Sequence, residues 1–413
     1  MLLINQSSLD FRGSLKPKAD RPLILKNKKI TLGVTGAISA YKALELTRLL
    51  IKEGAEVSPV MTRSATEFIT ALSFSTLAKN PVSTELFDLT GETKISHIDL
   101  AQACDLIIVA PATANMIGKA ANGLADDLLS TILMAAKAPV LFAPSMNSQM
   151  WANEAVQENV RKLKSRGVLF AGPCEGDLAC GYAGTGRLAP IDEILEAAKE
   201  ALTPQDLKGE KVLVTAGPTR EPIDPVRYVS NASSGKMGYA LARAARRRGA
   251  EVVLVSGPSF LPRPEGVTFV PVRSAEEMLD ACVRHFPQST LVIMAAAVAD
   301  YRPTKSYPSK VKKDAAILSI EMERTDDVLK KLGTLKKKGQ TLIGFALETD
   351  SLEENAKKKL KDKGLDLVVA NTPAGLDSDT NQVTILGRDG VVDRLAPLPK
   401  EEVADIILNR ALR

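Results

Sequence analysis

Short apolar runs alternate with stretches of helical periodicity along most of this chain. KITLGVT (29–35), AEVSPVMT (55–62), DLIIVAPAT (105–113) and PVLFAPSMN (139–147) are runs of strand type. Between them, residues 40–53 and 128–136 repeat apolar positions as helices do, the first ending at Gly54. Such alternation predicts a parallel sheet covered on both faces. LTPQDLKGE (202–210) breaks the rhythm with polar residues, Pro and Gly, and a domain boundary is expected there. The pattern restarts with KVLVT (211–215), followed by a helix, a turn at Gly249 and a further strand; LVIMAAAVAD (291–300) and TLIGFALET (341–349) read as inner strands. The expected fold class is therefore α/β, with two doubly wound Rossmann-like domains at 25–203 and 204–413 behind an N-terminal extension, 1–24. In such folds ligands bind beyond the carboxyl ends of the strands.

Composition narrows the function. Of 413 residues, 45% are hydrophobic and 25% charged, the balance of a soluble globular protein. A net charge of +5 is slight for this length; it suits anionic small molecules and gives no footing for nucleic acid. No apolar run approaches the roughly 20 residues of a membrane helix, and the first 22 residues lack the core and cleavage site of a secretory signal. Cys104, Cys174, Cys180 and Cys282 have no metal-ligand spacing, and a reducing cytoplasm is the expected location.

Candidate chemistry in the first half lies at strand ends. VTGAISAYK (34–42) joins a strand to a helix through Gly36, Ala37 and Ser39, small enough for close approach of a phosphate. APATAN (110–115) ends another strand with Thr113 and Asn115, and MTRSATEF (61–68) ends a third with Thr62. One turn of this kind can equally serve only to pack a helix on a sheet; three together suit a flat cofactor. With one phosphate turn and no second GxGxxG, a mononucleotide is expected rather than an adenine dinucleotide. The chain has two histidines, and His97 stands in KISHIDL. Asn147 stands in PSMNSQMW (144–151), and Cys180 in the glycine-rich GDLACGYAGTGR (176–187).

The second half is organised around TAGPTREPIDPVRYVSNASSGKMG (215–238), a long loop between a strand and a helix. Ser233, Ser234 and Gly235 offer hydroxyls and backbone N–H groups where the helix begins, and Lys236 adds positive charge, which makes an anion site. The GxxxxGK[ST] spacing of a Walker A loop is absent. The small residues of Met294, Ala295 and Ala296 leave backbone groups free to read a base edge, and Asp300 at the mouth suits a ribose or a metal. Lys310 opens KVKK (310–313), Phe345 lies in GFALET, and Lys359 and Lys363 fall four apart on one helix face.

From about Ile30 onward these motifs resemble those of bifunctional coenzyme A biosynthesis flavoproteins, in which a phosphopantothenoylcysteine decarboxylase is fused to a phosphopantothenate–cysteine ligase. The resemblance implies a flavodoxin-like N-terminal domain holding flavin mononucleotide (FMN). There the flavin oxidises the thiol side and is later returned to its starting state. Cys180 delivers a proton to the enethiolate, and His97 is an active-site residue. Asn147 meets the departing carboxylate without the ground-state stabilisation a cation would give. The resemblance further implies a ligase domain using CTP with Mg2+ to form an acyl-cytidylate that the cysteine amine attacks. Arg227 and Asn231 handle that intermediate. Lys310 is catalytic, with nucleotide contacts at Ser234, Gly235, Met294, Ala295, Ala296, Asp300, Asp326, Asp327, Val328, Leu329, Phe345, Lys359 and Lys363, and with Asp300 toward the metal. The substrates would be 4'-phosphopantothenate, cysteine and CTP, and the assembly a homo-oligomer: trimers of flavin domains joined by ligase dimers into a dodecamer. One departure is plain: Thr325-Asp326-Asp327 stands where Asn-Pro-Asp is common. Single-domain relatives of the flavin fold serve as inhibitory phosphatase subunits. Cys180, PSMNSQMW and the second domain argue against such a binding role here.

Overall fold

The computed structural model describes residues 24–86, 97–177, 183–311, 319–347 and 352–412. They divide into two compact units at Pro204/Gln205.

The first unit is built on strands β1 (Lys29–Val34), β2 (Glu56–Met61), β3 (Leu106–Ala112), β4 (Val140–Pro144) and β5 (Leu169–Phe170). They form one parallel sheet in the order β2-β1-β3-β4-β5. Alternate β3 residues serve opposite faces, as the two-residue period of a strand requires. Leu106, Ile108 and Ala110 pack with Leu46, Leu50 and Ile194, while Ile107 and Val109 pack with Met116, Ile117, Leu129 and Val160; past a register shift between Val109 and Ala112 the alternation changes, and Ala112 joins the second group. All seven β3 residues are buried, which explains why the strand reads as a continuous apolar run. Strand order reverses between β1 and β3, so a crevice opens beyond their carboxyl ends. The helix expected over 40–53 begins instead as a 3-10 turn, Ile38–Tyr41, and continues as the α-helix Lys42–Lys52. An antiparallel ribbon, β6 (Cys174–Asp177) with β7 (Ala183–Arg187), completes the unit.

The second unit carries strands β8 (Lys211–Ala216), β9 (Arg220–Pro222), β10 (Tyr228–Ser230), β11 (Glu251–Ser256), β12 (Thr268–Pro271), β13 (Leu291–Met294), β14 (Tyr301–Pro303), β15 (Met322–Arg324), β16 (Thr341–Leu347), β17 (Leu367–Asn371), β18 (Thr380–Asn381), β19 (Val383–Gly387) and β20 (Val392–Arg394). Its main sheet has eight strands in the order β12-β11-β8-β13-β16-β17-β19-β20, parallel except for the antiparallel edge pair β19 and β20. The helix Lys236–Arg247 buries Tyr239, Leu241, Ala244 and Ala245 against one face; Ala275–His285 buries Met278 and Cys282 against the other.

Two features depart from the sequence reading. The long loop 215–238 contains a small antiparallel hairpin, β9 with β10. The strand expected over 291–300 pairs regularly only to Met294. Beyond it Ala296 donates its N–H to Thr215 Oγ1 (3.1 Å), Ala297 donates to the Gly217 carbonyl (2.9 Å), and the chain leaves the sheet to follow the loop after β8. Among the described residues no helix is long and apolar enough to cross a membrane.

Candidate functional site

In the first unit a cleft of about 660 Å³ opens beyond β1, β3 and β4. Gly36, Ala37 and Ser39 line it from β1, Thr113 from β3, and Asn147 from β4, so five residues singled out from the sequence converge. Their backbones are locked together. Thr35 donates its hydroxyl to the Pro111 carbonyl (2.7 Å) and accepts the Thr113 N–H (3.1 Å). The buried Ser39 and Ser145 hydroxyls share a hydrogen bond of 2.8 Å. At Gly36 an added Cβ would lie 2.5 Å from Ser64 Cβ and 2.9 Å from the Ser64 backbone, so the turn can approach its neighbour only as glycine. Asn147 caps the short helix Ser148–Ala152 by accepting the Gln149 N–H (2.8 Å).

Thr62 and Asn115 do not line this cleft. Thr62 starts the short helix Arg63–Thr66 and donates its N–H to the Val34 carbonyl at 3.0 Å; Asn115 is exposed on the helix Ala114–Asn122. His97 is the first residue of the helix His97–Gln102. Cys180 lies outside the described residues. Sequence reasoning missed Tyr41, Lys42, Ser145, Met150 and Arg187, which also line the cleft. Their signal was present, since each stands beside or inside a motif already singled out. Arg187 reaches the cleft because the Met146 N–H pairs with the Gly186 carbonyl (2.9 Å), a contact between distant segments.

In the second unit the segments after β8, β11 and β13 meet closely. Gly217 and Gly235 take φ of +73° and +81°, and an added Cβ at Gly257 would lie 1.9 Å from the Pro218 carbonyl oxygen. Gly235 is the N-cap of Lys236–Arg247, with its N–H directed to Ser233 Oγ (3.3 Å), and Ser259 donates to the Ser234 carbonyl (3.0 Å). The charge expected from Lys236 at this turn is engaged elsewhere. Its ammonium lies 3.0 Å from an Asp379 carboxylate oxygen and donates to the Asp377 carbonyl at 3.1 Å. That pairing pushes its pKa up, led by the Asp379 hydrogen bond.

Asn231 donates its amide to the Ala297 and Val298 carbonyls (3.0 and 3.2 Å), so the loop after β10 is anchored to the segment that carries Met294, Ala295 and Ala296. The same segment is held by Thr219 Oγ1, which accepts the Ala299 N–H at 3.0 Å, and by the Thr325 N–H on the Asp300 carbonyl, also 3.0 Å. The Asp300 side chain is exposed beside it. Among the described residues no three His, Cys, Asp or Glu side chains group as a metal site. Arg227 pairs with Asp224 through Nε (2.9 Å) and Nη2 (2.5 Å), and Lys310 is exposed on the neighbouring segment.

A second cluster gathers residues from three segments. Lys359 donates to the Phe345 carbonyl (2.6 Å), and Lys363 pairs with Asp327 at 2.7 Å. Asp327 also caps the helix Val328–Leu335 by accepting the Lys330 N–H (2.9 Å). Burial raises the pKa of the Asp327 carboxyl, but Lys363 and the Lys330 N–H outweigh it and the net shift is downward. The Thr325-Asp326-Asp327 sequence thus keeps a capped helix start without the proline. Val328 and Leu329, the first two residues of that helix, are buried, so their side chains serve the core.

The family profile described as "Flavoprotein" matches residues 20–203, and that of the "DNA/pantothenate metabolism flavoprotein C-terminal domain" matches 207–413. The chain is 48% identical over 393 residues to the coenzyme A biosynthesis bifunctional protein CoaBC of Bacillus subtilis (strain 168), covering 93% of this chain and 97% of that one. It is 45% identical to the proteins of the same description from Vibrio cholerae (89% of this chain, 93% of that one) and Escherichia coli K12 (93% and 96%). Among solved structures, the C-terminal domain of a CoaBC protein shares 50% identity at a TM-score of 0.44, covering 50% of this chain and 95% of that chain.

Proposed function

Because this chain belongs to the family of bifunctional coenzyme A biosynthesis proteins, we propose a division of its two reactions between its two units. The protein is a bifunctional enzyme of coenzyme A biosynthesis, with phosphopantothenate–cysteine ligase and phosphopantothenoylcysteine decarboxylase activities. Residues 25–203 carry the decarboxylase and 204–413 the ligase.

The observation that carries the first assignment is the cleft beyond β1, β3 and β4. Its residues fit FMN. Gly36, Ala37 and Ser39 give a side-chain-poor turn for the phosphate, Thr113 lines the strand end, and the volume suits a mononucleotide. Bound there, FMN would supply the electron sink that a cysteine carboxylate lacks, in a reaction with no net oxidation. The chain's own residues then orient and protonate. Asn147 offers a neutral amide to the carboxylate, so carbon dioxide leaves without a cation holding the ground state. Cys180 is the acid that protonates the enethiolate, and His97 completes the proton-handling set.

In the ligase unit the turn at Ser234 and Gly235 and the backbone of Met294, Ala295 and Ala296 hold CTP, with Phe345, Lys359 and Lys363 on its other side. Asp300 is one exposed carboxylate. That suits Mg2+ carried in by triphosphate oxygens, an ion that keeps waters and takes one or two protein ligands. Lys310 stabilises charge as pyrophosphate departs; Arg227 and Asn231 hold the acyl-cytidylate for attack by the cysteine amine. The assembly is a homo-oligomer of flavin-domain trimers joined by ligase dimers into a dodecamer, and the location is the cytoplasm.

The test is product analysis. Incubation with 4'-phosphopantothenate, cysteine and CTP should yield 4'-phosphopantetheine, carbon dioxide, CMP and pyrophosphate. Acid release should liberate FMN, and light scattering should give the mass of twelve chains. Release of the adenine dinucleotide, or arrest at 4'-phosphopantothenoylcysteine by flavin-loaded protein, would overturn the assignment.

A further inference from the structure

One buried carboxylate joins the loop that carries Arg227 to the segment that carries Lys310. Asp224 is 2% exposed. Its Oδ1 accepts the N–H groups of Val226 (2.9 Å) and Arg227 (2.8 Å). Its Oδ2 accepts Arg227 Nε (2.9 Å), Arg227 Nη2 (2.5 Å) and the Val311 N–H (3.2 Å). Arg227 Nη2 closes the circuit by donating to the Val311 carbonyl at 3.0 Å. The two segments also meet at Tyr307, whose N–H donates to the Ile223 carbonyl (2.9 Å), while Ile223 and Asp224 both donate to the Arg227 carbonyl (2.9 and 3.2 Å). Residues 223–227 are thus a closed turn, and 307–311 lies across it. The Arg227 hydrogen bonds, overcoming the cost of desolvation, hold the Asp224 carboxyl far below the usual carboxylate range.

We propose that Asp224 is a positioning residue for ligation, fixing the Arg227 guanidinium and the backbone beside Lys310 in a single arrangement. The proposal rests on the assignment of Arg227 and Lys310 to the ligase site. Asp224 acts through them: its lone pairs are spent on protein donors, and no part of its side chain is accessible. A guanidinium on a flexible stem costs entropy to place, and a carboxylate that accepts both Nε and Nη2 removes that cost in advance. Because the same oxygen takes the Val311 N–H, it also sets where the residue before it stands. Asp224 therefore influences formation of the acyl-cytidylate through Lys310 and its conversion through Arg227.

The test uses the full chain loaded with flavin. Asp224→Asn keeps the shape but replaces one acceptor with a donor facing donors. Turnover should fall about 10- to 100-fold in both half-reactions, as small misplacements of catalytic groups do. KM for CTP should move far less, and decarboxylation of supplied 4'-phosphopantothenoylcysteine should be unchanged. Hydrogen exchange should rise across 307–311 while β8 and β16 stay protected. In conversion of the acyl-cytidylate, Asp224→Asn added to Arg227→Lys should cost much less than it does alone. Wild-type turnover, a change confined to KM, or penalties that multiply in full would overturn the proposal. So would loss of protection across β8 and β16, which would make Asp224 a general support of the fold. The controls are Arg227→Lys and Lys310→Gln. If both ligate normally, the site assignment fails; if both are crippled and Asp224→Asn is not, only the positioning role fails.

Discussion

Single residues in this protein act by how many partners they hold. Asp327 caps a helix and pairs with Lys363, and its folded pKa lies below the ordinary 3.8. A depressed carboxyl stabilises the fold above its unfolded pKa, and that stabilisation is lost as pH falls through the folded value. Asp327→Asn keeps a capping oxygen and loses the charge. It should therefore cost about 0.5–1 kcal/mol at neutral pH, the scale of a partly exposed ion pair. The gap from wild type, measured by urea unfolding, should close as pH falls below 3.8. An unchanged gap across that range would assign the effect to the cap. Lys400 is a second case. It is 7% exposed, and its ammonium donates to the Gly375 and Ser378 carbonyls (3.0 and 2.6 Å), pinning the connection between β17 and β18. Lys400→Met should release those carbonyls and cost about 2–4 kcal/mol, given that each bond is charge-assisted. Exchange should rise across residues 373–380; an unaltered exchange pattern there would deny Lys400 that role.

At the scale of elements, the hairpin of β9 and β10 hangs from one helix end. Glu221 is 2% exposed and accepts the Ala275 N–H (2.9 Å) at the start of Ala275–His285, while the Arg220 N–H donates to the Arg273 carbonyl (2.7 Å). A carboxylate there meets both an orphan donor and the positive end of the helix. Glu221→Ala should cost about 1–2 kcal/mol, as loss of a helix cap does. It should also slow ligation, because Arg227 lies in the connection of that hairpin and Asn231 directly follows it; ligation at the wild-type rate would show the hairpin's seat to be irrelevant. The sequence reading stops short at this element for a physical reason. β1, β3, β8 and β13 announce themselves by apolar runs, because strands buried on both faces need nothing else. The strand-end motifs likewise carry their own small residues, so Gly36, Ala37, Ser39, Thr113 and Asn147 are legible before any coordinates. The hairpin is not, since its three-residue strands pair with each other and are held by the Glu221 side chain on a backbone N–H 54 positions away. The Asp224–Val311 bond spans 87 positions and leaves no periodic trace. Thr62 and Asn115 mark a strand end and a helix start truly, yet neither lines the cleft.

For the molecule as a whole, the consequence of two separate cores is that each head can be silenced alone. The unit up to Pro204 packs around β1 and β3, the unit from Gln205 around β8 and β13. Substitutions far apart with no shared partners act independently. Cys180→Ser should stall decarboxylation after carbon dioxide is lost, since a serine hydroxyl is a far weaker acid, and an oxidised enethiol product should build up while ligation proceeds. Normal 4'-phosphopantetheine at the wild-type rate would remove Cys180 from the mechanism. In the other unit the two ligase substitutions should differ from each other. Asn231 anchors its loop on the Ala297 and Val298 carbonyls, so Asn231→Asp would turn a donor into an anion facing two acceptors and repel an anionic intermediate. It should block use of the acyl-cytidylate. On the role proposed for it, Lys310→Gln removes charge where pyrophosphate departs, a loss of roughly 3–4 kcal/mol by comparison with oxyanion donors, and should block formation of the intermediate. CTP labelled in its α-phosphate separates the cases. Asn231→Asp should accumulate labelled acyl-cytidylate, Lys310→Gln should form none, and both should decarboxylate supplied 4'-phosphopantothenoylcysteine at the wild-type rate. Accumulation of the intermediate by Lys310→Gln, or loss of decarboxylation by either variant while folded, would show that the two heads do not divide the work as their separate cores imply.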